Sequence, residues 1–503
     1  MKRTLLYSAL VLAVAVIVVG FAPGNGSITT DPEISSILTN INPSNILNTA
    51  QSLQNFRTRQ SCSDSPAPGQ GVTAARDYLF AQYSAIPGLQ VRLDPFIMKN
   101  VCPNAPTFNV IAWLPGRHRN RLVIIGGHYD SRTTVVTDST SNAPGGNDAG
   151  AQTGVVLELA RVLSGHQYDA TVVFMSFSGE EQGLFGSGSI AANLTRYFEE
   201  PHVIAMLNTD IPGGDNTANI GADFQHFRLY SPGIPRERRS TDPDGTTGTT
   251  DNTSPSRGVM RYIGTWGAAY VPSITMQPLL REDRPGRASD HTSFISNGYP
   301  AVRFMETHEC SPSPVDNSCG GPLPCPPPKQ IPDFCKDTSF KTTHQHSPND
   351  QVQYITPNYA ATIAQVMASV AASLARAPNA PQNFNATGNS VQGVSVRFNS
   401  DDDGIDHFVV AARSINENFY RQRVRLSDES ERSLSADALG FNSGDSFYIS
   451  VAAVDKQGHE SLFAYPEVHC DANACAIPTY AFDVTAPLPM PPPPPPDNDV
   501  DDD

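Results

Sequence analysis

Several short segments of this chain carry the side chains that bind metal ions in proteins, and one of them pairs two acids. The residues are, in chain order, His128, Asp130, Asp148, Glu180, Glu181, Asp210 and His346. The pair Glu180 and Glu181 follows an apolar stretch at 171–177, where two like charges repel and add nothing to stability. Such a pair suits a site in which one carboxylate binds a metal ion while its neighbour transfers a proton.

The other segments gain their meaning as a set. Asp148 lies in a glycine-rich loop before an expected helix, where a negative charge is favoured for structural reasons alone. Together, however, two imidazoles and three carboxylates in the order His, Asp, Glu, Asp, His suit two zinc ions bridged by one carboxylate. Asp130 is placed to orient His128 and raise its basicity. His344 competes with His346 as a ligand.

Apolar strands alternate with amphipathic helices from about residue 89 to 376. We expect strands at 108–114, 121–125, 171–177 and 203–207, and helices at 31–57, 71–86, 155–163, 186–197 and 359–376. This alternation predicts an α/β domain over residues 23–376, with a mixed, largely parallel sheet sandwiched by helices. The candidate ligands follow strands, at the edge where such sheets bind their ligands.

Two stretches of this domain, 232–257 and 309–345, are rich in Pro, Gly, Ser and Thr and show no periodicity. Loops of that length are usually functional or disordered. The second holds four of the eight cysteines, so we expect a disulfide-stapled loop near the site.

The C-terminal part changes character after a linker at 377–380. Short alternating segments over 381–466 predict a small all-β sandwich. This stretch resembles a fibronectin type III domain, best in the segment 447–455 followed by Gly458, although Phe447 stands where that family usually has a tyrosine. Residues 467–503 contain a cysteine pair, six consecutive prolines and terminal aspartates. We expect them to form a disordered tail.

The N-terminus predicts export. Residues 1–22 combine a short basic start with a long apolar run, which is typical of a signal peptide or of a retained N-terminal anchor. The eight cysteines favour disulfides in an oxidising compartment. Local bridges are expected, namely Cys62 with Cys102, Cys470 with Cys475, and two within 310–335. The protein is therefore expected to be secreted, periplasmic or on the cell surface, with membrane attachment only through a retained anchor.

The charge balance excludes one class of partner. The chain has 34 Lys and Arg against 50 Asp and Glu, a net charge of −16. Because binding to phosphate backbones needs concentrated positive charge, no nucleic-acid partner is expected.

The ligand order and its local sequences resemble the M28 family of metallopeptidases, which includes bacterial leucyl-type aminopeptidases. The resemblance covers roughly residues 70–376, and its most specific element is the string Glu-Glu-x-Gly-Leu-x-Gly-Ser at 180–187. It implies a zinc-peptidase fold and two Zn²⁺ per chain bridged by Asp148. It also implies that the other roles divide as follows: His128 and Asp210 complete one ion, Glu181 and His346 complete the other, Glu180 is the general base, and Asp130 orients His128. Asp290 and His291 resemble a family segment that lines the substrate pocket.

The resemblance implies an exported exopeptidase that acts on the amino ends of peptides or proteins. A carboxypeptidase and a single-zinc glutaminyl cyclase are alternatives on related folds. An inactive peptidase fold that serves adhesion is an alternative from another class. The sandwich is expected either to dock polymeric or surface-bound substrate or to shield the catalytic domain.

Overall fold

The structure is a computed structural model that describes residues 28–63, 69–214, 223–233, 253–283, 287–307 and 344–478. The elements of the first half are α1 Pro32–Thr39, α2 Pro43–Gln54, α3 Gly71–Ser84, β1 Gln90–Met98, β2 Cys102–Leu114, β3 His118–His128, α4 Gln152–Leu163, β4 Ala170–Phe177, α5 Phe185–Ala191 and β5 His202–Thr209. They are followed by β6 His226–Tyr230, α6 Pro255–Tyr262, a π-turn Ile263–Gly267, α7 Ala268–Tyr270, β7 Thr275–Leu279, α8 Asp290–Ser296, β8 Ala301–Met305 and α9 Pro357–Arg376. The C-terminal strands are β9 Gln382–Asn389, β10 Gly393–Asn399, β11 Ile405–Ser414, β12 Gln422–Leu426, β13 Arg432–Leu434, β14 Phe447–Asp455, β15 Val468–Cys470 and β16 Cys475–Ala476.

One mixed sheet organises the described residues up to 376, as the sequence predicts. Its strand order is β1-β2-β4-β3-β5-β8-β6-β7. The central strands β4, β3, β5 and β8 run parallel, whereas β1, β2 and β6 introduce antiparallel pairings. The predicted fold class is therefore confirmed.

The two faces of the sheet explain why β4 reads as a continuous apolar run. Alternate residues of a strand point to opposite faces. Val172 and Phe174 pack into the core that includes α2, α4 and α9, whereas Val173 and Met175 pack against α5 and α8. A parallel strand covered by helices on both faces has no solvent side, so it carries no polar alternation.

Two predicted helices are shorter than expected. The helix predicted over 31–57 is divided into α1 and α2 because Pro43 disfavours helical backbone at the residue before it. The side chain of Asn42 then caps α2 by accepting a hydrogen bond from the Ser44 N–H at 2.9 Å. The helix predicted over 186–197 ends at Ala191. There the Asn193 side chain donates to the Ser189 carbonyl at 2.7 Å, which competes with continued helix.

The C-terminal strands form two antiparallel sheets, β13-β10-β9 and β12-β11-β14-β15-β16. Their inner faces enclose a separate apolar core. The predicted end of the sandwich at residue 466 is wrong, since β15 pairs with β14 through Phe447 and Cys470. The disulfide Cys470–Cys475 closes the β15–β16 turn, so the start of the expected tail is ordered sheet.

The predicted disulfides Cys62–Cys102 and Cys470–Cys475 are both confirmed, which fits an oxidising compartment. The expected signal or anchor at 1–22, most of the two long loops, the cysteines within 310–335 and the tail beyond 478 lie outside the described residues. Within the part of the chain that the structure describes, no helix has the length and apolar character needed to cross a membrane.

The sandwich packs against the α/β part at the end of the sheet where β3 and β5 begin. A cavity of about 740 Å³ lies there, lined by His118 and His202 on one side and by Tyr420 and Phe463 on the other. Beside this cavity, polar side chains of the α/β part contact polar side chains of the sandwich, and we call this contact the junction. The α/β part contributes Asp31, Arg261, Tyr262 and Trp266, and the sandwich contributes Arg413, Arg423, His459, Glu460 and Glu467.

Candidate metal centre

The sheet topology brings the predicted residues together. The strands β4, β3 and β5 are parallel neighbours, so their carboxyl ends lie side by side. Strand β3 ends at His128, the Glu180–Glu181 turn follows β4, and Asp210 directly follows β5. Three segments that are far apart in the chain therefore meet at one edge of the sheet, where open α/β sheets place their ligand sites.

Asp148 reaches the same edge from the loop before α4. Gly145 has a positive φ of 51°, which a glycine adopts without strain. The Asp350 carboxylate then accepts hydrogen bonds from the backbone N–H groups of Asn147 at 2.7 Å and Asp148 at 3.0 Å. These bonds aim the Asp148 side chain at the ends of the strands.

One group of donor atoms surrounds His128. Its Nε2 lies 3.2 Å from Asp148 Oδ1, 3.6 Å from Asp210 Oδ1 and 3.9 Å from Glu180 Oε2. Burial lowers the pKa of His128, but the nearby carboxylates of Glu180, Asp130, Asp148 and Asp210 raise it more strongly, to well above its usual value. The carboxylates therefore attract positive charge to this point.

A second group lies on the other side of Asp148. The Nε2 of His346 is 3.2 Å from Asp148 Oδ2 and 3.1 Å from Glu181 Oε2. The competing His344 instead stacks on Tyr354, with ring centroids 3.8 Å apart. Of the two histidines, His346 is the one that faces the carboxylates.

The donor set fits zinc. A tetrahedral zinc with bonds near 2.1 Å separates its ligand atoms by roughly 3.4 Å, close to the distances in both groups. Asp148 Oδ1 and Glu181 Oε1 are buried and accept no hydrogen bond within the described part of the chain. Buried carboxylate oxygens in that state are costly without a cation. Asp148 offers one oxygen to each group, Oδ1 beside His128 and Oδ2 beside His346.

Asp130 ties the histidine to the glutamate pair. Its Oδ1 lies 3.4 Å from His128 Nδ1, while its carboxylate accepts hydrogen bonds from the backbone N–H groups of Glu180 at 3.4 Å and Glu181 at 3.2 Å. The Ser61 hydroxyl donates to Asp130 Oδ2 at 3.1 Å. The contact with Nδ1 leaves Nε2 of His128 directed at the carboxylates, which is the orienting position predicted for Asp130.

Glu180 differs from Glu181 in its surroundings. Its side chain is 12% exposed against 4% for Glu181. Burial raises the pKa of the Glu180 carboxyl well above its usual value, and the carboxylates of Glu181, Asp210 and Asp290 raise it further, against the lowering effect of His128. A raised pKa makes a carboxylate a stronger base than an ordinary glutamate.

Asp290 and His291 lie at the start of α8, fully buried. Burial raises the pKa of Asp290 to about 7. His291 Nε2 contacts the Glu282 carbonyl at 2.8 Å, and burial lowers its pKa to about 4. Asp290 therefore belongs to the acidic surroundings of Glu180, whereas His291 joins α8 to the Glu282 loop.

Sequence reasoning missed the basic and amide side chains that hold the acids. Arg132 donates to Glu181 and Arg303 contacts Asp210. The Gln345 amide donates to Asp148 Oδ2 at 2.6 Å. Arg59 is fully buried and donates to the Tyr129 and Gly145 carbonyls at 2.7 and 2.9 Å. Only Arg132 and Gln345 could have been found from the sequence, since each lies within two residues of a predicted site residue.

The chain is similar to several known proteins. A "probable zinc metalloprotease" of Leptosphaeria maculans is 29% identical over 363 residues, which cover 70% of this chain and 79% of that protein. Another, from Pyrenophora tritici-repentis, is 27% identical over 454 residues, or 87% of each chain. Among solved structures, the LapA aminopeptidase of Legionella pneumophila has a TM-score of 0.48 at 15% identity, covering 69% of this chain and 76% of LapA. The glutaminyl cyclase of Porphyromonas gingivalis has a TM-score of 0.45 at 15% identity, covering 66% and 98%.

The family assignment rests on a further match. The model of peptidase family M28 matches residues 109–371, which include every predicted metal ligand and more than half of the chain. On this evidence the chain belongs to peptidase family M28.

Proposed function

We propose that this protein is an exported two-zinc exopeptidase that removes residues from the amino ends of peptides. One observation carries the proposal, which is the convergence of five donor residues into two groups that share Asp148. His128 and Asp210 would complete one ion, and His346 and Glu181 the other. The two relatives described as probable zinc metalloproteases support the choice of zinc.

A bound zinc ion supplies Lewis acidity, since it polarises a carbonyl oxygen and lowers the pKa of a bound water from 15.7 to about 7. The protein's part in the reaction is to bind, to orient and to move a proton. Asp148 holds the two halves of the site together, and Asp130 fixes the direction of the His128 ring.

Glu180 is the proposed general base. Of the two glutamates it is the more exposed. Its Oε2 lies 3.9 Å from His128 Nε2, which is farther than the nearest oxygens of Asp148 and Asp210. Its carboxylate would take the proton from the attacking water and then deliver it to the leaving amine. A carboxylate that has taken up this proton is in the form that donates it in the second step.

The preference for the amino end rests on the M28 resemblance, and it is testable directly. A panel of aminoacyl fluorogenic substrates and short peptides, free or acetylated at the amino end, would be incubated with the protein with and without a chelator. We expect hydrolysis of free-amine substrates only, loss of activity with the chelator, and two zinc ions per chain by metal analysis. Cleavage of acetylated peptides from their carboxyl ends would instead establish a carboxypeptidase.

Two further outcomes would replace the proposal. Cyclisation of amino-terminal glutamine by a chain with one zinc would establish a glutaminyl cyclase. No hydrolysis of any peptide by a chain with two bound zinc ions would favour an inactive fold that serves adhesion.

For the sandwich we propose a fibronectin type III-like module that docks polymeric or surface-bound substrate. Its contact with the start of β3 and β5, while the metal centre lies at the ends of these strands, argues against shielding of the site. Co-sedimentation of the full chain with insoluble protein tests docking, and equal sedimentation with and without the polymer would contradict it. The two observed disulfides support the proposal of an exported protein.

A further inference from the structure

Two buried arginines lie behind the candidate metal centre, one on each side. Arg132 is 7% exposed and Arg303 is 1% exposed. Arginine is rarely buried to this extent unless it is paired. Each contacts a carboxylate that belongs to a different group of donor atoms, so the pair is distributed over the two halves of the site.

Arg132 acts on the half that contains His346. Its Nε donates to Glu181 Oε2 at 2.8 Å, and the same oxygen lies 3.1 Å from His346 Nε2. The other oxygen of Glu181 accepts no hydrogen bond within the described residues. A planar guanidinium bonded to one oxygen restricts rotation of the carboxylate, so Arg132 sets which oxygen faces His346.

Arg303 acts on the half that contains His128. Its Nη2 lies 2.9 Å from Asp210 Oδ2, leaving Asp210 Oδ1 as the oxygen that faces His128 Nε2. Its Nη1 donates to Asp283 Oδ2 at 2.6 Å, and this second carboxylate holds the guanidinium in place.

We infer that Arg132 and Arg303 are positioning residues that control the two zinc affinities separately, Arg132 through Glu181 and Arg303 through Asp210. The inference rests on the proposed two-zinc site and adds residues that none of the predicted ligand roles includes. Groups that orient metal ligands typically change metal affinity by 10–100-fold when they are removed. Because the arginines contact different carboxylates, each variant should weaken the binding of one zinc ion and leave the binding of the other unchanged.

The test is a zinc titration of the full chain in chelator-buffered solutions of known free zinc, with bound zinc measured per chain. Glu181→Ala and Asp210→Ala first identify which binding step belongs to which side. Arg132→Met should then shift the step that Glu181→Ala shifts, by about 10–100-fold. Arg303→Met should shift the Asp210 step by a similar factor, and Arg303→Lys, which retains a charge beside Asp283, serves if Arg303→Met does not fold.

A cycle of double variants separates positioning from general damage. Adding Arg132→Met to Glu181→Ala should cause no further loss of zinc affinity beyond about twofold, whereas adding it to Asp210→Ala should cause its full effect. Arg425→Met is the matched control, since Arg425 is a 65% exposed arginine paired with Asp406 on the sandwich. It should leave both steps unchanged.

The inference would be overturned if Arg132→Met weakened the binding of both zinc ions equally. It would also be overturned if a folded variant kept both zinc affinities unchanged. Failure of the proposed function can be told apart from failure of the inference, because it would be observed in the wild-type chain. If the wild type bound a single ion, the two-zinc proposal would fail. The arginine on the side of that ion would then support or overturn the inference by whether its variant weakens that binding.

Discussion

The metal centre and the junction are both clusters of buried charge, yet their charges are arranged differently. At the junction, Glu467 accepts hydrogen bonds from Arg413 at 3.0 and 2.7 Å and from Tyr420 at 2.8 Å, and Arg261 lies 3.4 Å away. At the metal centre, carboxylates converge on two histidines, and oxygens of Asp148 and Glu181 accept no hydrogen bond within the described residues.

The difference separates a structural charge cluster from a functional one. Buried ionised groups are tolerated when partners satisfy them, and the junction meets that condition with Glu460 as well, which pairs with Arg423 and accepts from Trp266 at 3.3 Å. The metal centre does not, because its carboxylates exceed the cations that face them. Such an excess of buried carboxylate suits the binding of a metal cation.

The largest effect is expected from Asp148→Ala. This change removes a ligand from both groups at once, so both zinc ions should be lost and hydrolysis abolished. Metal analysis after gel filtration, together with activity on a free-amine substrate, measures the result. Retention of two zinc ions by this variant would show that Asp148 does not bridge them.

Glu180→Gln should separate chemistry from metal binding. The amide cannot accept the proton from water, so kcat should fall by about 10²–10⁴-fold, while both zinc ions stay bound. Steady-state kinetics and zinc content of the same preparation provide the two readings. Near wild-type activity would mean that another group is the base.

Glu467→Gln tests whether the charge cluster at the junction stabilises the fold. Replacing the carboxylate by an amide removes the negative charge that faces the buried Arg261 and Arg413, which should destabilise the fold by about 3–5 kcal/mol. Zinc affinity should not change, because the junction lies at the other end of β3. Urea unfolding measures the stability, and zinc titration measures the zinc affinity. The control Arg425→Gln removes one partner of an exposed ion pair and should change stability little.

Zinc itself should stabilise the wild-type chain. Binding to the folded state alone adds about 2.7 kcal/mol per ion at a free zinc concentration 100 times the Kd. Thermal unfolding with and without chelator measures this gain. Asp148→Ala should show no such response, whereas Glu467→Gln should keep it, so the two clusters are distinguished by one titration.

The smallest effect concerns pH at the junction. His459 lies 2.8 Å from Asp455 and 3.0 Å from Asp31, which also pairs with Arg376 at 2.6 Å. Burial lowers the pKa of His459, but the two aspartates raise it more, to above its usual 6.5. Burial raises the pKa of Asp31 and of Asp455, but His459 together with backbone N–H donors, and with Arg376 at Asp31, lowers it to below the usual 3.8.

A histidine with a raised pKa contributes stability that is present below pH 6.5 and lost as the pH rises through the folded value. The aspartates contribute stability above pH 3.8 that is lost as the pH falls. The contact should therefore be strongest between these values. Urea midpoints of wild type and His459→Gln across pH 5–9 should converge as the pH rises, and a constant difference would contradict this.

Much of the fold was predictable because it depends on local patterns. The buried strand at 171–177 and the helix at 359–376 were expected within one or two residues. The five-residue strands β6, β7 and β8 were missed, since so short a segment carries too little periodicity to identify a strand. The sandwich was ended too early because Cys470 and Cys475 were attributed to the tail rather than to sheet pairing.

The sequence by itself determined the types and order of the candidate metal ligands, because ligand chemistry belongs to individual residues such as His128 and Glu181. Only the tertiary structure showed that His346 rather than His344 faces the carboxylates, placed Arg132 and Arg303 beside them, and joined Asp31 to His459 across 428 residues. The physical reason is that these contacts depend on which strand ends become neighbours. That order is set by packing of the whole sheet, and no local pattern records it.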